Sequence, residues 1–245
     1  MDRRRACGAG DHAARDLSVA AVPERIVVIL VAAGSSSRMG GIDKLWADLG
    51  GEPVVARSLR TLASMDGITE VIVVTPAERC EAIRALASEL PAPVHCVEGG
   101  ARRQDSVAAG LRVASEADYY LVHDAARPLV TAEICARVLA AAREHGAAIP
   151  AVPVVDTIKR VGEAGLVLGT VHRELLRAVQ TPQAFAGALL RRAHAEVHTD
   201  VTDDAAMIEH LGAPVAAAEG DPANIKITTA SDLDLVRALL VARAT

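Results

Sequence analysis

The chain has 245 residues, with 51% apolar, 23% charged and 2% aromatic content and a formal net charge of −5. That length accommodates one large α/β domain with a full core, or one domain with a small appendage. An acidic balance offers no basic face to a phosphate backbone, and so few aromatics offer no platform for stacked bases, which excludes nucleic acid as a partner.

Residues 1–24 carry Arg3-Arg4-Arg5 and only a short apolar run, Leu17 to Val22 broken by Ser18, before Pro23. That is not a secretory signal, and the composition reads as a disordered, dispensable leader rich in Ala, Arg and Gly. One domain is expected over residues 25–245. The longest apolar run, Ile26–Ala33, falls far short of the ~20 residues a helix needs to cross a bilayer, so no membrane span is expected. Cys7, Cys80, Cys96 and Cys135 form no Cys-x-x-Cys pair and read as reduced thiols of a cytoplasmic protein, packed as small apolar groups. The histidines form no close ligand cluster, which disfavours zinc.

From residue 26 onward apolar runs alternate with helix-period segments, the pattern of a wound, mostly parallel sheet. Strands are predicted near 26–33, 70–75, 93–97, 119–123 and 147–153. Helices are predicted over 53–65, opened by Pro53, and over 77–90, 104–115 and 131–145. Residues 154–161 and 166–171 are β-rich runs around Gly162-Glu163-Ala164-Gly165, and read as a hairpin. A lone two-stranded ribbon is marginally stable, so 154–172 is expected to protrude as an arm and lie against a second copy of the chain. Residues 186–212 read as mainly helical, and a last helix, 230–243, follows a cap at Thr229 or Ser231.

The first strand, Val27-Val28-Ile29-Leu30-Val31, runs into Ala32-Ala33-Gly34-Ser35-Ser36-Ser37-Arg38-Met39-Gly40, with Lys44 beyond. Continuous aliphatics suit a strand covered on both faces, and the small residues let backbone amides approach an anion. Arg38 supplies a planar fork for phosphate oxygens and Lys44 a mobile point charge, a combination fitted to a nucleoside triphosphate. Neither the Walker pattern nor Gly-x-Gly-x-x-Gly is present.

Ligands of an open parallel sheet bind beyond the strands' carboxyl ends. After 93–97 stand Gly99-Gly100, able to lie against a flat ligand edge, and Ser106, with a hydroxyl for a base. After 119–123 stands Asp124, placed for substrate hydroxyls or a hydrated Mg²⁺, followed by Arg127-Pro128, whose turn would aim a guanidinium at the crevice. Each has a blander use, as a glycine turn, a helix cap, a turn-capping Asp or a surface ion pair.

Taken together, Ala32-Ala33-Gly34-x-x-x-Arg38-Met39, Lys44, Gly99-Gly100-x-x-Arg103-x-Asp105-Ser106-Val107, His123-Asp124-Ala125-Ala126-Arg127-Pro128, Asp156-Thr157-x-Lys159-Arg160, Thr181-Pro182-Gln183 and Asn224-Ile225-Lys226 resemble the 2-C-methyl-D-erythritol 4-phosphate cytidylyltransferases, in family order over about residues 26–240. The resemblance implies a Rossmann-like fold of nucleotidyltransferase type and a step of isoprenoid precursor synthesis. In it CTP and methylerythritol phosphate give CDP-methylerythritol and pyrophosphate. It implies Mg²⁺ as cofactor, held mainly by the CTP phosphates with Asp124 as the candidate protein ligand, and a homodimer whose crossing arms complete each other's sites. It assigns Arg38 and Lys44 to the triphosphate and Arg173 to the substrate phosphate in the partner's site. Asp124, Arg127, Thr157, Thr202 and Lys226 are the positions for methylerythritol phosphate, with Arg38, Lys44, Arg173 and Lys226 the charge-neutralising set. Ala32, Ala33, Gly34, Gly100 and Ser106 fall on the nucleotide.

The chain departs from the family pattern at Asp43, where Pro is common, and at Leu45-Trp46, both of which bear on loop stiffness. Ala101 and His172 depart as well. Two rival readings are a ribitol 5-phosphate cytidylyltransferase, which the phosphate loop does not separate, and a nucleotide-binding regulatory protein without turnover. The second would have lost the second-substrate cations, whereas Arg127, Arg173 and Lys226 are all present.

Overall fold

A computed structural model describes residues 23–34 and 43–244. Arg38 and nearly all of the leader lie outside the described residues. The chain builds β1 (Ile26–Val31), α1 (Val54–Ala63), β2 (Ile68–Thr75), α2 (Cys80–Ala87), β3 (Val94–Glu98), α3 (Arg103–Val113), β4 (Tyr119–Asp124), α4 (Ala132–His145) and β5 (Ala147–Pro153) in strict alternation. The hairpin strands β6 (Lys159–Val161) and β7 (Val167–Thr170) follow, then β8 (Arg177–Val179), β9 (Gln183–Ala186), α5 (Gly187–Glu196), α6 (Asp204–His210), β10 (Ala216–Glu219) and α7 (Ala230–Ala244).

The main sheet runs β10-β5-β9-β4-β1-β2-β3, with β8 on the side of β5. Strand β1 sits between β2 and β4, parallel to both. Its unbroken aliphatic run is explained by that position, because successive side chains enter different cores. Val28 and Leu30 join Val71, Leu121 and the α1 residues Leu59 and Leu62. Val27 and Ile29 join Ile72, Val122, Leu111 of α3 and Leu190 of α5. Burying a side chain of this size contributes about 1.5–3 kcal/mol, so the covered sheet, more than any turn, sets where its carboxyl edge lies.

The ends of α4 and the start of α7 agree with the sequence reading, whereas α2 is shorter than the expected 77–90. Thr131 caps α4 by accepting from Ile134 N at 3.4 Å, and Gly146 closes it in the left-handed region at φ 86°. Thr229 Oγ1 accepts from Asp232 N at 3.2 Å at the start of α7. Residues 186–212 contain α5 and α6 as expected.

Four expectations change. Strand β9, which the sequence reading does not place, lies antiparallel between β4 and β5 within the mostly parallel sheet. Strands β8 and β10 also join it. At three or four residues each they carry too little periodicity to register, and they form because a partner edge is already in place. The hairpin is shorter than its β-rich runs, pairing only Lys159 with Thr170, Arg160 with Gly169 and Val161 with Val167. Finally, Cys80 and Cys96 are joined as a disulfide, not held as separate reduced thiols. The start of α2 folds back beside β3 and brings them together, a tertiary proximity that a spacing of 16 residues does not reveal. Cysteine usage therefore gives no support to a reducing compartment. Cys7 lies outside the described residues; among those described Cys135 behaves as read, a buried free thiol whose pKa burial pushes up to about 12.

Candidate functional site

Two adjoining cavities open at the carboxyl edge of the sheet. The larger, about 430 Å³, takes Ala33 and Gly34 from just beyond β1, Gly100 from the loop into α3, Ser106 from α3 itself, and Lys44. The smaller, about 230 Å³, takes Arg127, Thr202 and Asp203. Arg103, Asp124 and Lys226 line both, and so form the wall on which the two meet.

The glycine pair is dictated by contact. A Cβ on Gly99 would lie 2.4 Å from Ala33 Cβ, and one on Gly100 would lie 2.4 Å from Asp105 Cβ, so no side chain fits at either position. Ser106 is used differently from the expectation that its hydroxyl is offered outward. It accepts from Gly100 N at 3.1 Å and donates to Arg102 O at 3.1 Å, tying the loop to the first turn of α3. Ala32 lies behind the cavity, donating its N–H to Val74 O at 2.7 Å as a continuation of the β1 ladder.

At the wall Asp124 is held on both oxygens. Arg103 Nε donates to Oδ1 at 3.2 Å and Lys226 Nζ to Oδ2 at 2.6 Å, while the Asp124 N–H donates to Thr181 Oγ1 at 3.0 Å. Burial alone would push the Asp124 carboxyl up, but Arg103 and Lys226 outweigh it and hold the group well below the usual carboxylate range. Lys226 reaches its place because Ile227 N donates to Ala126 O at 2.8 Å and Arg127 Nη1 donates to Asn224 O at 2.7 Å, fastening its loop across the end of β4. Arg127 therefore does two things: it borders the smaller cavity and braces the Lys226 loop. Arg103, Arg127 and Lys226 thus gather beside Asp124 and Asp204, with Asp203 on the smaller cavity, and supply cationic donors that an anion can use.

Behind Asp124, buried His123 is neutral. Thr181 Oγ1, having accepted from Asp124 N, donates to Nδ1 at 3.0 Å, and Nε2 donates to Arg127 O at 3.2 Å. Burial lowers its pKa to about 4, below the unfolded value of about 6.5. A depressed folded pKa gives stability that is complete above pH 6.5 and lost as pH falls through 4. Urea unfolding is expected to show a loss on the order of 3 kcal/mol over that window, and the His123→Asn variant a shallower slope. Equal slopes in the two proteins would contradict this.

Around Lys44 the departure at Asp43 acquires a physical role. Arg79 Nη2 donates to Asp43 Oδ2 at 3.1 Å, its guanidinium stacks over the Trp46 ring at 4.9 Å, and Asp43 Oδ1 accepts from Leu45 N at 3.2 Å. An ion pair and a cation–π contact thus brace the backbone where a proline would have stiffened it.

Thr157 and Arg173, assigned to substrate by the resemblance, line neither cavity. Thr157 is exposed on the arm and Arg173 is exposed just beyond it, where its Nη1 donates to Val155 O. Sequence reasoning gave no role to Arg103, Asp204, His194 or Arg79. Of these only Arg103 stood inside a recognisable motif, three residues past the glycine pair.

The sequence profile described as 2-C-methyl-D-erythritol 4-phosphate cytidylyltransferase matches residues 26–242. A protein of that name from Rhodococcus jostii (strain RHA1) is 46% identical over 217 residues, 88% of this chain and 95% of its own length. Its namesake from Symbiobacterium thermophilum is 45% identical over 220 residues, 88% and 92% of the two chains. Among solved structures, 4-diphosphocytidyl-2C-methyl-D-erythritol synthase from Anaerococcus prevotii superposes with a TM-score of 0.80 at 28% identity, covering 89% of this chain and 99% of its own. The cytidylyltransferase of Thermus thermophilus gives 0.70 at 38% identity, covering 86% and 97%.

Proposed function

The chain belongs to the 2-C-methyl-D-erythritol 4-phosphate cytidylyltransferase family, and from that premise we propose how its residues divide the work. It is a nucleotidyltransferase that moves a cytidylyl group from CTP to 2-C-methyl-D-erythritol 4-phosphate, releasing pyrophosphate and forming CDP-methylerythritol. The observation that carries the division is the pair of adjoining cavities with Arg103, Asp124 and Lys226 between them. CTP takes the larger, its base edge against Gly99-Gly100 and Ala33 and its triphosphate toward Lys44; Arg38, outside the described residues, keeps the triphosphate role the family pattern gives it. Methylerythritol phosphate takes the smaller, with Asp124 and Thr202 on its hydroxyls and Arg127 and Lys226 near its phosphate.

A phosphomonoester has a second pKa of ~6 and is largely a dianion near neutrality, so its oxygen attacks the α-phosphorus without a dedicated general base. The barrier is repulsion between two anions. The cations at the wall offset it, hold the attacking oxygen in line with the leaving pyrophosphate and neutralise charge as that group departs. Among the described residues no cluster of three or more His, Cys, Asp or Glu could hold a metal, and both Asp124 oxygens already receive cationic donors. The donor set fits Mg²⁺ carried mainly on the CTP phosphates, where the ion would supply further charge neutralisation; Asp124 would reach its hydration shell only by giving up a cationic donor.

Residues 25–245 act as one catalytic domain and 154–172 as a dimerisation arm. Val155, Leu166, Leu168 and Leu175 on or beside this arm are 61–86% exposed, more apolar surface than a ribbon of two short strands leaves to water without a partner. In a homodimer with crossed arms, Thr157 and Arg173 would enter the partner's site. Among the described residues no helix is long and apolar enough to cross a membrane, and both reactants are membrane-impermeant, which favours the cytoplasm.

Pyrophosphate release from CTP, Mg²⁺ and methylerythritol phosphate tests the activity, and faster formation of CDP-ribitol from ribitol 5-phosphate would overturn the substrate. Mixing two strongly impaired variants, Lys44→Ala and Arg173→Ala, tests the arms. Exchange of subunits is expected to restore about a quarter of wild-type activity, because half of the random dimers are mixed and each mixed dimer regains one whole site. No recovery, or a fully active monomer in sedimentation, would refute crossed arms.

A further inference from the structure

Asp204 is a carboxylate with no exposed surface, in the first turn of α6, and it lines neither cavity. The cap of that helix is already supplied by Asp203, which accepts from Ala206 N at 3.0 Å. An ion buried without an evident structural duty is costly to keep, and its partners show what it serves. Oδ2 accepts from Arg103 Nη1 at 2.6 Å and Oδ1 accepts from His194 Nε2 at 3.0 Å. Burial alone would raise the Asp204 pKa, but Arg103 and His194 outweigh it and keep the group ionised.

Arg103 passes the contact inward, since its Nε meets Asp124 Oδ1 while Lys226 holds Asp124 Oδ2. A continuous line therefore runs from His194 on α5 through Asp204, Arg103 and Asp124 to Lys226, from outside the site to the wall shared by both cavities. The side chain of His194 is 7% exposed and touches neither cavity. A third guanidinium nitrogen, Arg103 Nη2, is buried with no hydrogen-bond partner among the described residues. A guanidinium fixed on two edges by carboxylates has its plane set by them.

We propose that His194 and Asp204 are positioning residues for cytidylyl transfer, which orient Arg103 so that it braces Asp124 beside Lys226 at the wall shared by the two reactants. The proposal rests on the cytidylyl-transfer reading. His194 acts only through Asp204, and Asp204 only through Arg103. Without the His194 N–H, Asp204 loses one of its two partners and swings, carrying the Arg103 plane with it. Misplacement of a binding group by a fraction of an ångström reaches the reacting atoms as a loss of alignment.

The test compares wild type with His194→Leu, His194→Gln and Asp204→Asn in the full-length protein. Steady-state kinetics with each substrate varied in turn are read beside hydrogen exchange of the Arg103 Nε–H followed by NMR. His194→Leu is expected to lower kcat/KM for methylerythritol phosphate on the order of ten- to a hundredfold, with a smaller change in KM for CTP, and to speed exchange at Arg103 Nε–H. His194→Gln, which can place an amide N–H where Nε2 stood, is expected to recover most of both. Asp204→Asn is expected to behave like His194→Leu. A lower melting temperature with unchanged kinetics and unchanged exchange would make His194 and Asp204 structural only and overturn the proposal, as would failure of His194→Gln to rescue. Absence of pyrophosphate release by wild type would sink the cytidylyl-transfer reading instead, and the positioning line would then be decided by the Arg103 exchange alone.

Discussion

Lys44→Ala is expected to lower kcat about 100-fold, the equivalent of about 3 kcal/mol in the transition state, while leaving the unfolding free energy nearly unchanged. Lys44 borders the larger cavity and is half-buried, so its truncation removes no core packing. Its backbone is held independently, by the Arg79 contacts to Asp43 and Trp46 and by Leu45 N on Asp43. The loss should therefore fall on charge that develops as pyrophosphate leaves. Single-turnover pyrophosphate release at saturating CTP gives the measurement, with urea unfolding as the control. Unchanged turnover would remove Lys44 from the mechanism, and a large stability loss would show that the loop depends on it.

Asp124→Ala is expected to cost both stability and activity. Deleting one member of a buried ion cluster leaves its partners uncompensated, typically at about 3–5 kcal/mol. The lower end, about 3 kcal/mol, applies here because the Lys226 side chain remains 39% exposed and is partly screened by water. Arg103, by contrast, keeps Asp204 and stays ionised. Turnover should fall further than stability predicts, since Asp124 stands on the wall of both cavities. Urea denaturation and kcat/KM for each substrate measure the two effects. A stability change below about 1 kcal/mol would show that the ion cluster is not a structural brace.

The contrast between these residues shows what could be read along the chain. Lys44 belongs to a strand-loop pattern contained within two dozen residues, and its cavity is where that pattern put it. Asp124 and Arg127 were visible as the end of an apolar strand run, and Lys226 through a short local motif. Arg103 was visible as a letter of a motif but not as a group with a task, because its partner Asp204 lies 101 residues away. Likewise nothing near Lys226 announces Asp124, 102 residues upstream. Ser106 was read as a hydroxyl for a base, yet it closes its own loop, and adjacency in sequence does not say which of two nearby acceptors a hydroxyl will choose.

Local pattern along the chain was enough to establish the alternation of strands and helices, the glycine pair, the cavity-lining Lys44 beyond the first strand and the family. Each is a matter of periodicity, or of residue types a few positions apart, and short-range sterics and amphipathicity act on that scale. It took the folded molecule to show that β9 enters between β4 and β5, that Cys80 meets Cys96, and that His194, Asp204, Arg103, Asp124 and Lys226 form one line of contacts. Those pairings join residues whose separation along the chain bears no relation to their distance in space. They arise when burial of the two core faces brings distant segments to one sheet edge, where each buried charge must find its counterion.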